Sequence, residues 1–134
     1  MTELDQALST AFTKEGQQQT ANQVYLVLLR AMLFIPIQKN SRDGEDFSPL
    51  FATIDEKHFI VGFDTLYKLR DWAGEHQDNM DYVELSGRDL IAGIEPHVYF
   101  CLNIGTAYYK EFSPDEIVQL KKLVSKIDQL RSKP

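Results

Sequence analysis

A single cysteine, Cys101, in a chain of 134 residues excludes an internal disulfide framework and any zinc site built from several cysteines. A reducing compartment is expected, the cytoplasm being the simplest. Long apolar runs are missing too: the longest, Ala31 to Ile37, falls far short of the ~20 residues a membrane helix needs. The N-terminus, Met1-Thr2-Glu3-Leu4-Asp5, is acidic and has no apolar signal core, so neither cleavable export nor membrane insertion is expected. Basic charge is scarce, with 14 Lys and Arg against 20 Asp and Glu and a net charge of −6. That balance disfavours DNA or RNA as the main partner, because phosphate backbones are held by clustered Lys and Arg.

The sequence also lacks the common signatures of catalysis. It has no Gly-x-Ser-x-Gly elbow, no Gly-x-x-x-x-Gly-Lys loop, no Gly-x-Gly-x-x-Gly fingerprint and no His-Glu-x-x-His pair. His58, His76 and His97 fall on different predicted elements, so a metal site would need tertiary convergence with carboxylates. Asp71, Glu75 and Asp78 share a helical face if that helix runs past Gly74, but the ligand spacing and turn glycine of an EF-hand loop are missing. Cys101 lies between Phe100 and Leu102 on a buried-looking strand and reads as a small hydrophobe rather than a nucleophile. No catalytic residue, metal or cofactor is therefore assigned.

What is present is the composition of one folded domain spanning residues 1–134, with 43% hydrophobic and 25% charged residues. Leu4, Ala7, Leu8, Ala11 and Phe12 recur at helical spacing and predict a first helix over 3–14. A second is expected from Thr20 to Leu33, capped at Thr20 or Asn22, with Pro36 forcing Met32–Ile37 into a strand. Gln38–Pro49 has the polar, turn-rich composition of an exposed connection. Leu50–Ile54 and His58–Val61, separated by Asp55-Glu56-Lys57, suit a hairpin. Asp64 is placed to cap a helix through Leu66, Leu69, Trp72 and Ala73, which Gly74 ends.

Further on, Val83–Leu85 reads as a strand, and Ser86 with Asp89 as the start of a short helix through Ala92. His97–Asn103 is the strongest strand. Ser113-Pro114-Asp115-Glu116 then opens a long amphipathic helix with an inward stripe of Ile117, Leu120, Val124, Ile127 and Leu130. The order predicts an α+β fold, a single layer of mixed β-sheet packed with several helices.

Charge is unevenly placed along this order. Asp71, Glu75, Asp78, Asp81, Glu84, Asp89 and Glu95 face the lone base Arg88 in their window, whereas Lys121, Lys122, Lys126, Arg131 and Lys133 outnumber Glu116 and Asp128 near the end. The molecule is expected to be electrically two-sided; the basic helix end with Lys121 and Lys122 reads first as a solvated face and alternatively as a local docking patch. Trp72 and the group Tyr108, Tyr109 and Phe112 read mainly as packing, yet amphipathic aromatics beside a turn also make partner anchors. If Asn103 and Gly105 close a turn beside Phe63 and Asp64, a shallow groove with backbone donors is expected there.

Six pieces of the chain resemble, in order, the SseB N-terminal domain family. They are Leu4-x-x-Ala7-Leu8, Leu33-Phe34-Ile35-Pro36, Val61-Gly62-Phe63-Asp64 running to Leu69-x-x-Trp72, Leu85-x-Gly87-x-Asp89-Leu90, Leu102-Asn103-Ile104-Gly105 and Phe112-Ser113-Pro114-Asp115-Glu116-Ile117. Two turns depart from the family pattern: Phe63-Asp64-Thr65 stands where Phe-Thr-Ser is usual, and Asn103-Ile104-Gly105 where Asn-Pro-Gly is usual. The chain is thus identified as a divergent member. The resemblance implies an α/β interaction domain linked to serine sensitivity or to type III secretion, and supplies no catalytic residues. The leading expectation is a non-enzymatic, cytoplasmic interaction or adaptor domain with a protein partner, self-association remaining open. The alternatives are a small-molecule-binding or enzymatic domain with a groove near Phe63 and Asn103, and an acidic immunity-type protein.

Overall fold

The computed structural model describes residues 2–13, 18–38 and 51–132. The predicted connection Gln38–Pro49 lies outside them except for Gln38, which ends a strand. The elements are α1 (Glu3–Thr13), α2 (Gln18–Arg30), β1 (Met32–Gln38), β2 (Phe51–Ile54), β3 (Lys57–Gly62), α3 (Leu66–Ala73), a 3-10 stretch (Gly74–Asn79), β4 (Met80–Ser86), α4 (Gly87–Gly93), β5 (Val98–Leu102), β6 (Lys110–Phe112) and α5 (Pro114–Ser132). This is the predicted α+β fold with its long C-terminal helix.

The strands form an antiparallel pair, β1 with β4, and a four-stranded mixed sheet in the order β2-β3-β5-β6. The predicted single layer is thus two pieces, joined where Phe34 and Phe63 exchange N–H···O bonds of 2.7 and 3.0 Å. β3 and β5 run parallel, from His58 opposite Val98 to Gly62 opposite Leu102, and the remaining pairs are antiparallel. Alternation along the strands sorts side chains onto two faces. Leu33, Ile35, Ile37, Val83, Ile60, Phe100, Leu102 and Phe112 belong to the main core, under α1, α2, α4 and α5. Phe59, Val61, Phe63 and Cys101 face the other way, where Leu69 and Ala73 of α3 pack on them. Among the described residues, helices therefore lie on both sides of the sheet, four against one.

Several boundaries move for local reasons. α2 starts at Gln18, so Thr20 and Asn22 are helical rather than caps, and it ends at Arg30, clear of the extended backbone that Pro36 imposes. The hairpin loop is two residues, not three, because Ile54 pairs with Lys57. Asp55 and Glu56 then take φ of 52° and 67°, the left-handed pair of a type I′ turn. The cap of α3 is Thr65, whose hydroxyl accepts the Lys68 N–H at 3.1 Å; Asp64 is engaged elsewhere. Gly74 ends α3 as expected, at φ 53° with its N–H on the Arg70 carbonyl. Ser86 and Ser113 cap α4 and α5, accepting the N–H groups of Asp89 and Glu116 at 3.1 and 3.3 Å.

β6 had no sequence expectation, and two residues assigned to apolar stripes are out in solvent: Phe12 is 50% and Leu130 63% exposed. Each lies in the last turn of its helix.

Candidate functional site

The densest polar arrangement joins the start of α1 to the start of α3. Thr2 and Asp5 cap α1 reciprocally: the Thr2 hydroxyl accepts the Asp5 N–H at 3.0 Å, and the Thr2 N–H reaches an Asp5 carboxylate oxygen at 3.2 Å. Both side chains also meet residues more than 60 positions away. The Thr2 hydroxyl donates to Asp64, and Lys68, one helical turn after Asp64, places its ammonium on both carboxylates, 2.8 and 2.9 Å from Asp5 and 2.7 Å from Asp64. Side-chain exposure is only 8% at Asp5, 4% at Asp64 and 16% at Lys68. Burial alone would raise the Asp5 pKa, but the Lys68 ammonium and the Thr2 donors outweigh it and hold the carboxyl below its ordinary range. Lys68 mirrors this, burial being outweighed by the two carboxylates that keep it charged. An amine so held is not a nucleophile at neutral pH.

Asn103 closes the same corner. It is wholly buried, at φ 57°, with its N–H on the Gly62 carbonyl at 2.9 Å. Its Oδ1 accepts the Asp64 N–H at 3.1 Å, and its carbonyl accepts the Thr106 N–H and hydroxyl at 3.2 and 2.8 Å. The turn through Gly105, at φ 85°, thus sits beside Phe63 and Asp64. The Asp64 N–H is taken by Asn103, and Phe63 is fully buried against Trp72, their rings 5.6 Å apart. The Asn103 Nδ2 is buried and has no hydrogen-bond partner among the described residues.

The open space lies farther along that face of the sheet. A concavity of about 510 Å³ has Phe59, Val61, Cys101 and Ile104 in its lining, with Gly105, Thr106 and Tyr109 on one side and Asp55, Lys57 and Glu111 adding charge. Cys101 is no nucleophile there: burial, helped by the nearby Glu111 carboxylate, pushes its thiol up to about 11. Among the described residues no three His, Cys, Asp or Glu side chains converge to hold a metal ion.

Of the residues singled out from sequence, Phe63, Asp64, Trp72 and Asn103 come together, with Gly105 at the margin. Tyr108 is half-buried against the main core. Lys121 and Lys122 stand apart on α5, and they differ: Lys121 donates to the Ile94 carbonyl at the end of α4, 2.5 Å away, while Lys122 is exposed. The acids Asp71, Glu75, Asp78, Asp81, Glu84, Asp89 and Glu95 are all exposed. The lone base in that stretch, Arg88, bonds Asp89 at 3.2 Å and also clasps Asp128 of α5, at 2.6 Å through both carboxylate oxygens.

Sequence reasoning missed the Lys68 bridge and the Arg88–Asp128 clasp. The signals for the first were local: Thr2-x-x-Asp5 has the form of a capping box, and Asp64 and Lys68 have i,i+4 spacing. Nothing local announces the second, which spans 40 residues.

Residues 4–119 match the family described as SseB protein N-terminal domain, a span that takes in all six resembling pieces. No curated protein and no solved structure matches the chain significantly. Among the described residues no helix is long and apolar enough to cross a membrane. The chain belongs to the SseB N-terminal domain family.

Proposed function

We propose that this member of the SseB N-terminal domain family is a non-enzymatic, cytoplasmic protein-interaction domain that docks a basic partner on its acidic side. The observation that carries this reading is the exposure of all seven acids from Asp71 to Glu95, a stretch whose lone Lys or Arg, Arg88, is shared between Asp89 and Asp128. A field of one sign speeds and orients the approach of an oppositely charged protein. Several groups suited to chemistry are committed to structure, which supports a binding role: Lys68 is locked between carboxylates, Cys101 is held protonated, and Asn103 closes a turn. Family membership supports a secretion-associated or regulatory setting for the interaction.

The test is affinity capture from native cytosol with the wild type, an Asp78→Lys/Glu84→Lys variant and a Lys122→Glu variant. Lys122 is the clean probe of the basic helix, because changing Lys121 would also strip the Ile94 carbonyl of its donor. A partner lost only with the acidic-side variant is the expected result. Retention by every variant would count against the reading.

A second reading, small-molecule binding, is favoured by the concavity of about 510 Å³, within the ~300–1,000 Å³ usual for ligand sites. A metabolite panel that raises the melting temperature of the wild type but not of Tyr109→Ala would support it.

A further inference from the structure

β4 is the longest sheet edge among the described residues, and no described strand pairs with its outer side. An unpaired edge offers a row of alternating N–H and C=O groups to any extended chain, and proteins commonly blunt such edges with charge. Here the charge is of one sign. Asp81 and Glu84 are exposed on the strand itself, and Asp78 and Glu75 precede it on the 3-10 stretch. A second copy of β4 laid antiparallel with Asp81 opposite Asp81, or with Glu84 opposite Glu84, would set like charges against each other, which disfavours those registers of self-pairing. A basic strand meets the opposite situation.

The edge also has a recess beside it. Val83 belongs to the main core, so Met80, Tyr82 and Glu84 lie on the opposite face, toward α3, and Tyr82 packs its ring 5.7 Å from Phe34. Between α3 and β4 is a hollow of about 220 Å³, where Leu69, Met80 and Tyr82 supply apolar surface and Asp78, Asp81 and Arg70 are also in the lining. It is smaller than the ~300 Å³ at which ligand pockets usually begin, and suits a single long side chain. Apolar surface combined with carboxylates matches a Lys or Arg side chain, whose methylene stem buries while its head stays near water.

We propose that β4 is a strand-addition site: an extended basic peptide segment pairs along its outer edge and lodges one Lys or Arg side chain in the hollow between α3 and β4. The proposal deepens the acidic docking reading and rests on it. Main-chain pairing supplies affinity that tolerates sequence change, and the hollow supplies selection for one position of the partner. The acids that guard the edge against its own kind serve, in this arrangement, as its selector.

The experiment uses the full chain and three labelled synthetic octapeptides followed by fluorescence anisotropy at low salt. One alternates Lys with Val, one alternates Glu with Val, and one is the Lys peptide with its two central Val residues replaced by Pro, which keeps the charge but cannot pair as a strand. The Lys-Val peptide is expected to bind and to slow amide exchange in β4. Its affinity should fall about tenfold or more for the Pro-bearing peptide and for the Asp81→Lys/Glu84→Lys protein, with no binding of the Glu peptide. Both substitutions lie at exposed positions, and an unchanged circular dichroism spectrum checks the fold. Equal binding of the two basic peptides overturns strand addition and leaves the acidic docking face standing. No binding of either overturns both.

Discussion

The two faces of the sheet are built on opposite plans. One is sealed by four helices over side chains such as Leu28, Leu33, Ile35, Phe100 and Leu120, every one of them at 0% exposure. The other has a single short helix, α3, and there the molecule keeps its polar bridge, its concavity and the hollow beside β4. The polar bridge is what fastens the sparsely covered side: Lys68 ties α3 to the start of α1 where apolar contact is limited. Stability is concentrated where the sequence is apolar.

That contrast can be broken most directly by truncating one aromatic on each side. Phe100→Ala, in the sealed core, should cost about 3–5 kcal/mol in urea unfolding, against about 1–2 kcal/mol for Trp72→Ala, whose side is already partly in water. Equal costs would mean that the second face carries as much of the fold as the first. Lys68→Met should cost roughly 3–5 kcal/mol, because it leaves two buried carboxylates without their cation. Adding Asp5→Asn and Asp64→Asn should recover part of that loss.

Gly87→Ala probes the tightest seam on the sealed side. A Cβ there would lie 1.8 Å from the Leu28 carbonyl oxygen, a backbone atom that cannot step aside, so a loss of about 3 kcal/mol or more is expected. Gly93→Ala on the same helix meets nothing within 4 Å and should change stability by less than about 1 kcal/mol.

Smaller effects follow from titration. Asp5 has a folded pKa below its ordinary 3.8, so its contribution is complete above that value and is lost as the pH falls through the folded value. Tyr25 behaves in the opposite sense. Burial and the Glu116 carboxylate raise it to about 12, so its contribution is complete below the ordinary 10.0 and is lost as the pH rises from there toward 12. Acid unfolding of Asp5→Asn and alkaline unfolding of Tyr25→Phe should each flatten the corresponding limb. Least in energy is the behaviour of Cys101: in the folded chain its thiol should resist iodoacetamide at pH 8, reacting only once urea unfolds the protein.

Much of this fold was legible because its signals are local. Ser86 and Ser113 capped where their neighbours said they would, Pro36 kept its segment extended, and Gly74 ended its helix. β6 was not legible, since Lys110-Glu111-Phe112 has too few residues to show alternation and is a strand only because Phe100 to Leu102 lie opposite it. Asp64 misled for a related reason. Its side chain has the chemistry of a cap, but a buried ammonium and the Thr2 hydroxyl compete for it, leaving the capping to Thr65. At Phe63 and Asn103 the Asp64 N–H is spent on Asn103 and the Phe63 ring is buried, whereas the concavity starts at the neighbouring Ile104 and Gly105, a displacement that spacing in the sequence does not reveal. The acidity of this stretch was readable from composition; that Asp81 and Glu84 lie on a strand whose outer edge has no partner among the described residues was not.

The join between the two pieces of sheet has a consequence for motion. Phe34 and Phe63 exchange the two main-chain bonds that make it, so the β1–β4 ribbon and the four-stranded sheet can swing apart only by breaking that couple. Their two amides are therefore a built-in gauge. If the protein breathes along this line, both should trade hydrogen for deuterium together, earlier than the amides on either side, and at a rate that Trp72, resting on the Phe63 ring, helps to set.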